Sequence, residues 1–104
     1  MKEGTIMRIL LVCAGGMSTS ILMKKLDKYS EEKGLNMKIK AVGMSDYSDL
    51  YKDFDVILVG PQVSYRVKEI QSNTGLPVAA IPSFDYAVGN SENIFKLAVN
   101  LYKK

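Results

Sequence analysis

Two four-residue runs, ILLV at 9–12 and VILV at 56–59, contain no polar side chain. Each is short for a helix and too apolar for a strand with one face in water. Such runs belong at the centre of a parallel sheet, covered by helices on both faces. The segments between and after them supply that cover. Leu22, Leu26 and Tyr29 recur at helical spacing, in a segment capped at Ser18 or Thr19 and running to about Lys33, where Gly34 ends it. Residues 37–42 alternate, with Met37, Ile39 and Ala41 on one side and Lys38 and Lys40 on the other. Tyr47, Leu50, Tyr51 and Phe54 share one helical face, with a cap near Ser45. Pro61 suits the first turn of a third helix, whose inner stripe is Val63, Val67 and Ile70 and which ends at Asn73 and Gly75. Residues 78–81 form a fourth strand. Asn90 or Ser91 caps a last helix with Ile94, Ala98 and Leu101 inward.

This alternation predicts an α/β fold: a single three-layer domain over 1–104, with a four-stranded parallel sheet and helices on both faces. The two apolar strands take the centre. The lysine-bearing second strand takes an edge, where its charges discourage edge pairing. The order is then 2-1-3-4 with right-handed crossovers. The chain changes direction between strands 1 and 3, and ligands bind beyond the strand ends at such a switch point. Cys13 ends strand 1 and Gly60-Pro61-Gln62 ends strand 3, so both meet that point. Residues 1–6 are expected to be a flexible leader, because MRILLV is a natural start.

Composition narrows the chemistry. The chain has 104 residues, one cysteine, no histidine and a net charge of +3. Without histidine it can form no Cys-His nucleophile pair, no histidine-ligated metal site and no phosphohistidine of its own. One cysteine makes neither an internal disulfide nor a CxxC pair, which suits a reducing cytoplasm. No apolar stretch approaches the ~18–20 residues of a membrane span. The lysines are scattered, as on the solvated faces of separate elements, so no nucleic-acid stripe is expected. No cofactor or metal is expected either.

The loop after strand 1 reads CAGGMSTS, from Cys13 to Ser20. A strand end leading through two glycines into a helix gathers unpaired backbone N–H groups beside the positive end of a helix dipole. That environment favours a thiolate and also cradles phosphate oxygens. Gly15 and Gly16 let an anion approach, and Ser18, Thr19 and Ser20 add hydroxyl donors. Nucleophile and cradle coincide, which points to a covalent phosphocysteine. A low-molecular-weight tyrosine phosphatase carries a similar cysteine loop on such a sheet, as C-x5-R. Its arginine forks onto the transferring phosphate. Here Thr19 stands at the arginine's place, which argues for holding a phosphoryl group for handover over hydrolysing it.

The loop resembles the C-S-A-G-M-S-T-S loop of enzyme IIB components of the lactose/cellobiose class in the bacterial sugar phosphotransferase system. MRILLV, ILMKKL, DVILVGPQVSY and the final amphipathic helix extend the resemblance over essentially the whole chain. Two departures are visible. Ala14-Gly15 replaces Ser-Ala, and Ala87 follows Tyr86 where glycine is common. The resemblance implies a fold like that of the low-molecular-weight phosphatases. It also implies a phosphorylated IIA protein as donor and a membrane IIC sugar permease as acceptor complex. Cys13 is then the nucleophile, and Ala14, Gly15, Gly16, Met17, Ser18, Thr19 and Ser20 form the phosphate loop. Pro61 and Gln62 flank it, with no direct membrane insertion and no nucleic acid. Met17 is expected at a partner surface. Tyr65 and Arg66 read as the solvated face of the third helix, and Asp85 and Tyr86 as polar groups of an 84–89 loop. The rival classes are a cysteine phosphatase-like hydrolase and a non-covalent binder of flavin or nucleotide at the same switch point.

Overall fold

The computed structural model describes residues 7–13, 18–34, 37–43 and 45–103. The expected leader, 1–6, lies outside them. β1, Met7–Cys13, is buried at every position except Arg8. β2 spans Met37–Gly43, β3 Val56–Val59 and β4 Val78–Ala80. All pairings are parallel and the order is β2-β1-β3-β4, as the apolar runs predict. Register pairs Ile9 with Ile39 and Val56 across the two ladders of β1.

Strand alternation feeds two cores. Met7, Ile9, Leu11 and Cys13, with Val56 and Leu58, face α1 (Ser18–Lys33) and α5 (Ser91–Lys103). Leu22 and Leu26 cover them from α1, and Ile94, Phe95 and Ala98 from α5. Tyr29 stacks on Phe95 with ring centroids 5.2 Å apart. Leu10, Val12, Ile57 and Val59 face the opposite way, under Tyr47, Val63 and Ile70. Tyr47 opens α2 (Tyr47–Leu50), and Ile70 lies in α3 (Val67–Thr74). Each fully buried aliphatic side chain contributes about 1.5–3 kcal/mol, so the four apolar residues of β3 anchor both layers. Among the described residues no helix is long and apolar enough to cross a membrane.

The structure corrects several local expectations. The 47–54 helix is one turn of α-helix followed by a 3-10 turn, Tyr51–Asp53. Asp46, not Ser45, holds the N-cap position, without a side-chain cap bond. The third helix starts late. Pro61–Arg66 forms 3-10 turns interrupted at Val63 (φ −121°, ψ 22°), and regular helix begins at Val67. Asn90 is the cap of α5, its Oδ1 accepting from the Asn93 amide at 3.2 Å. Most consequential is a helix where a loop is expected: α4, Ser83–Val88.

α4 ends at Gly89, which has φ +65°. A Cβ there would lie 2.6 Å from Lys25 Cδ. The Lys25 ammonium in turn donates to the Val88 carbonyl at 3.2 Å. Gly89→Ala combines left-handed backbone strain of roughly 1–2 kcal/mol with displacement of that lysine. It is expected to lower the urea midpoint accordingly. An unchanged midpoint would show that the α4–α5 turn relaxes freely.

Candidate functional site

β1 and β3 run side by side at the centre of the sheet, and the chain leaves them toward opposite edges. Their C-terminal ends therefore open the crevice in which such sheets bind ligands. Cys13 is the last residue of β1, only 3% exposed, with Gly43 of β2 beside it in register. The Gly60 amide donates to the Val12 carbonyl at 2.9 Å, so β3 stays tied to β1 just past its own end.

Gly60 is the hub of this crevice. Its φ of −63° and ψ of 152° are accessible to any residue, so its interest lies in what surrounds it. A Cβ on it would stand 3.5 Å from Cys13 Sγ, 3.6 Å from the Tyr86 ring and 3.0 Å from Gln62 Oε1. The ends of β1 and β3 and the helix after β4 thus bring sulfur, carboxamide and phenol around one bare backbone position. The Tyr86 hydroxyl donates to Cys13 Sγ at 3.8 Å.

α4 carries Tyr86 there because its ends are tied. The Asn90 amide donates to the Asp85 carbonyl at 2.9 Å, and Asn93 Nδ2 donates to Asp85 Oδ1 at 3.1 Å. Lys25 holds the carbonyl of Val88 from α1. Between α1 and α4 lies a cavity of about 160 Å³, lined by Ile21, Leu22, Lys25, Tyr86, Ala87 and Gly89. Ile21, on its lining, is 63% exposed.

Of the residues expected at the site, Cys13 and Gln62 come together across Gly60, and Pro61 opens the 3-10 turns beside them. Ser18, Thr19 and Ser20 form the first turn of α1. Ala14, Gly15, Gly16 and Met17 lie outside the described residues, as do the side chains of Ser18, Thr19 and Ser20. Tyr65 is 77% exposed. Arg66 is forked onto Glu69, its Nε donating to Oε1 at 2.9 Å and its Nη2 to Oε2. These hydrogen bonds, reinforced by charge, hold the guanidinium above its ordinary range and the carboxyl below its own. The charge of Arg66 is thus committed locally. Sequence reasoning set Gly60 at the switch point without a role and left Tyr86 out of the site. The signal for both was the strand order, which sets the exit of β4 beside that of β3.

A parallel α/β sheet whose first central strand ends in the chain's one cysteine at the switch point places the protein among α/β proteins with a thiol at their ligand-binding end. Comparison with known proteins narrows it. Residues 8–97 match the family model of the PTS system lactose/cellobiose-specific IIB subunit. The chain is 31% identical over 97 residues to the oligo-beta-mannoside-specific EIIB component of Bacillus subtilis (strain 168), covering 90% of this chain and 94% of that protein. The solution structure of the cellobiose-specific phosphotransferase IIB component from Borrelia burgdorferi superposes with a TM-score of 0.82. It is 37% identical, over 96% of this chain and 94% of that one. A third likeness, 31% over 81 residues, is to the lactose-specific EIICB component of Staphylococcus haemolyticus (strain JCSC1435), covering 75% of this chain and 14% of that protein. The chain belongs to the lactose/cellobiose-specific IIB family of the phosphotransferase system.

Proposed function

We propose that the 1–104 chain works as one IIB domain, a phosphocarrier that takes a phosphoryl group onto Cys13 and passes it to a sugar. The observation that carries this reading is the position of the only thiol of a IIB-family chain, at the end of β1 beside the start of α1. The Cys13 thiolate attacks the phosphorus of a phosphohistidine on a IIA protein. The N–P bond breaks, its electron pair stays on the imidazole, and an S–P bond forms. In the second step a sugar hydroxyl attacks the same phosphorus. The S–P bond breaks, its electron pair returns to sulfur, and the hydroxyl proton goes to a base of the sugar-bearing partner. Backbone N–H groups of Ala14, Gly15, Gly16, Met17, Ser18, Thr19 and Ser20 hold the phosphoryl oxygens, supported by the unpaired amides of the first turn of α1. Pro61 and Gln62 close the other side.

The absence of histidine supports a donor on another chain. The name EIICB joins a C and a B part in one polypeptide, and the match to 14% of it leaves room for the C part. That supports a membrane IIC sugar permease as the acceptor complex. Cellobiose and lactose, which name the family, are both β-linked disaccharides, and we propose that sugar class. A thiol that must stay reduced suits the cytoplasm. Incubation with phosphorylated IIA tests the reading. A gain of one phosphoryl mass at Cys13, with no turnover of an aryl phosphate, is expected. Steady aryl phosphate hydrolysis would instead make the protein a cysteine phosphatase-like hydrolase.

Thr19→Arg sharpens the distinction. A guanidinium at that position would stabilise the equatorial oxygens of the transferring group whichever nucleophile attacks, water included. The lifetime of isolated phospho-Cys13 in buffer is expected to fall about tenfold, in line with a modest electrostatic contribution, with no gain in sugar phosphorylation. A folded variant as long-lived as wild type would show that the missing arginine is not what preserves the intermediate.

A further inference from the structure

We propose that Tyr86 is a further catalytic residue: its hydroxyl donates to Cys13 Sγ and stabilises the sulfur whenever it carries negative charge. The proposal rests on Cys13 being the reacting atom. Three observations support it. The hydroxyl stands 3.8 Å from the sulfur, at an angle from which it can donate. The phenol ring and the sulfur flank the same backbone position, standing 3.6 Å and 3.5 Å from where a Gly60 Cβ would lie, so the ring as well as the hydroxyl is seated beside Cys13. α4 is secured on both sides, by Asn93 on Asp85 and by Lys25 on the Val88 carbonyl, which fixes where the hydroxyl points. A helix of six residues with an exposed Phe84 buries little by itself. Carrying Tyr86 to the sulfur gives those ties a purpose.

The chemistry follows from where charge resides. Sulfur is anionic before it accepts the phosphoryl group and again as it leaves, and it is neutral in the thioester-like S–P bond. A hydrogen bond to sulfur is strongest in the anionic states. Tyr86 therefore favours the thiolate over the thiol, and favours departure of sulfur from phosphorus at handover. Tyr86 keeps its proton throughout.

The test uses the full chain and the single thiol. Ultraviolet absorbance of the thiolate is followed against pH in wild type and Tyr86→Phe, and alkylation by iodoacetamide is followed in parallel. Loss of a hydrogen bond to a charged acceptor is expected to lower the ionisation constant of the thiol about tenfold. A more basic thiolate is intrinsically more nucleophilic, with a Brønsted coefficient of about 0.4–0.5. The two alkylation profiles should therefore cross. The variant is about threefold slower where both thiols are mostly protonated and about threefold faster once both are fully ionised. General damage would slow alkylation at every pH, and a loosened site would speed it at every pH. Either result, or coincident thiolate titrations, would overturn the proposal. So would Tyr86→Phe matching wild type while Tyr86→Leu falls, because the ring alone would then suffice. One measurement needs no variant at Tyr86. The assigned ring carbon bearing its hydroxyl should titrate with the Cys13 midpoint in wild type, and that step should vanish in Cys13→Ser. Its absence in wild type would sink the idea. Crossing profiles in a protein that accepts no phosphoryl group from IIA would refute the carrier reading and leave the Tyr86 contact standing.

Discussion

Cys13→Ser is expected to abolish phosphoryl acceptance from IIA, by at least about a thousandfold, while the protein still folds. Oxygen is smaller than sulfur, so serine overpacks nothing, and the side chain is small. A buried hydroxyl costs about 1–3 kcal/mol where it lacks a full partner, a loss the two cores can bear. The catalytic loss has a different origin. A serine hydroxyl is hardly ionised at neutral pH and needs an adjacent general base. The chain has no histidine, and Asp85 on α4 is engaged by Asn93. No residue described around the sulfur is placed to take the proton. Mass spectrometry of the variant after incubation with phosphorylated IIA, beside a thermal melt, measures both halves. A serine variant that still passed phosphate on to sugar would end the phosphocysteine reading outright.

Much of this architecture is legible in the residues because it rests on burial. ILLV and VILV have no face that tolerates water, so they had to be central, and Lys38 and Lys40 marked the second strand as an edge. The helical stripes at Leu22 and Leu26, at Val67 and Ile70, and at Ile94 and Ala98 all reach the cores they imply. Cys13 at the switch point followed from strand order alone. What was not legible is local. α4 has no inward stripe: Phe84, Ala87 and Val88 are exposed, so periodicity carried no signal there. Its six residues are held by side chains from other elements, Lys25 and Asn93. The start of the third helix slipped for a related reason. Val63 buries itself with a non-helical backbone, so a buried residue at helical spacing did not guarantee helix. Tyr86 read as a loop polar group because its partner sulfur is 73 residues away in sequence, and no local pattern encodes that meeting.

Gly60→Val is expected to shut the site while leaving the sheet intact. The backbone at Gly60 is ordinary, so neither alanine nor valine meets a forbidden φ there. Space decides the outcome. An alanine Cβ would sit at normal contact distance from Cys13 Sγ (3.5 Å) and the Tyr86 ring (3.6 Å). Only Gln62 Oε1, at 3.0 Å, would have to give, and it is the far end of a flexible exposed side chain. Gly60→Ala should therefore keep acceptance within about threefold of wild type, a shift of under ~0.7 kcal/mol in the barrier. Valine adds two methyl groups to a Cβ already bounded by sulfur, ring and carboxamide. They push Tyr86 off the sulfur or occupy the volume a phosphoryl group needs. Overpacking of this kind costs roughly 1–3 kcal/mol of stability, which a protein with two complete cores can bear. Acceptance from IIA should fall about a hundredfold, since a reacting group displaced by an ångström loses that order of rate. Thiolate absorbance and phosphoryl uptake, measured on both variants at one pH, separate the two effects. If valine were accepted as readily as alanine, the crevice would not lie over Gly60. The incoming phosphorus would then approach Cys13 from the α1 side alone.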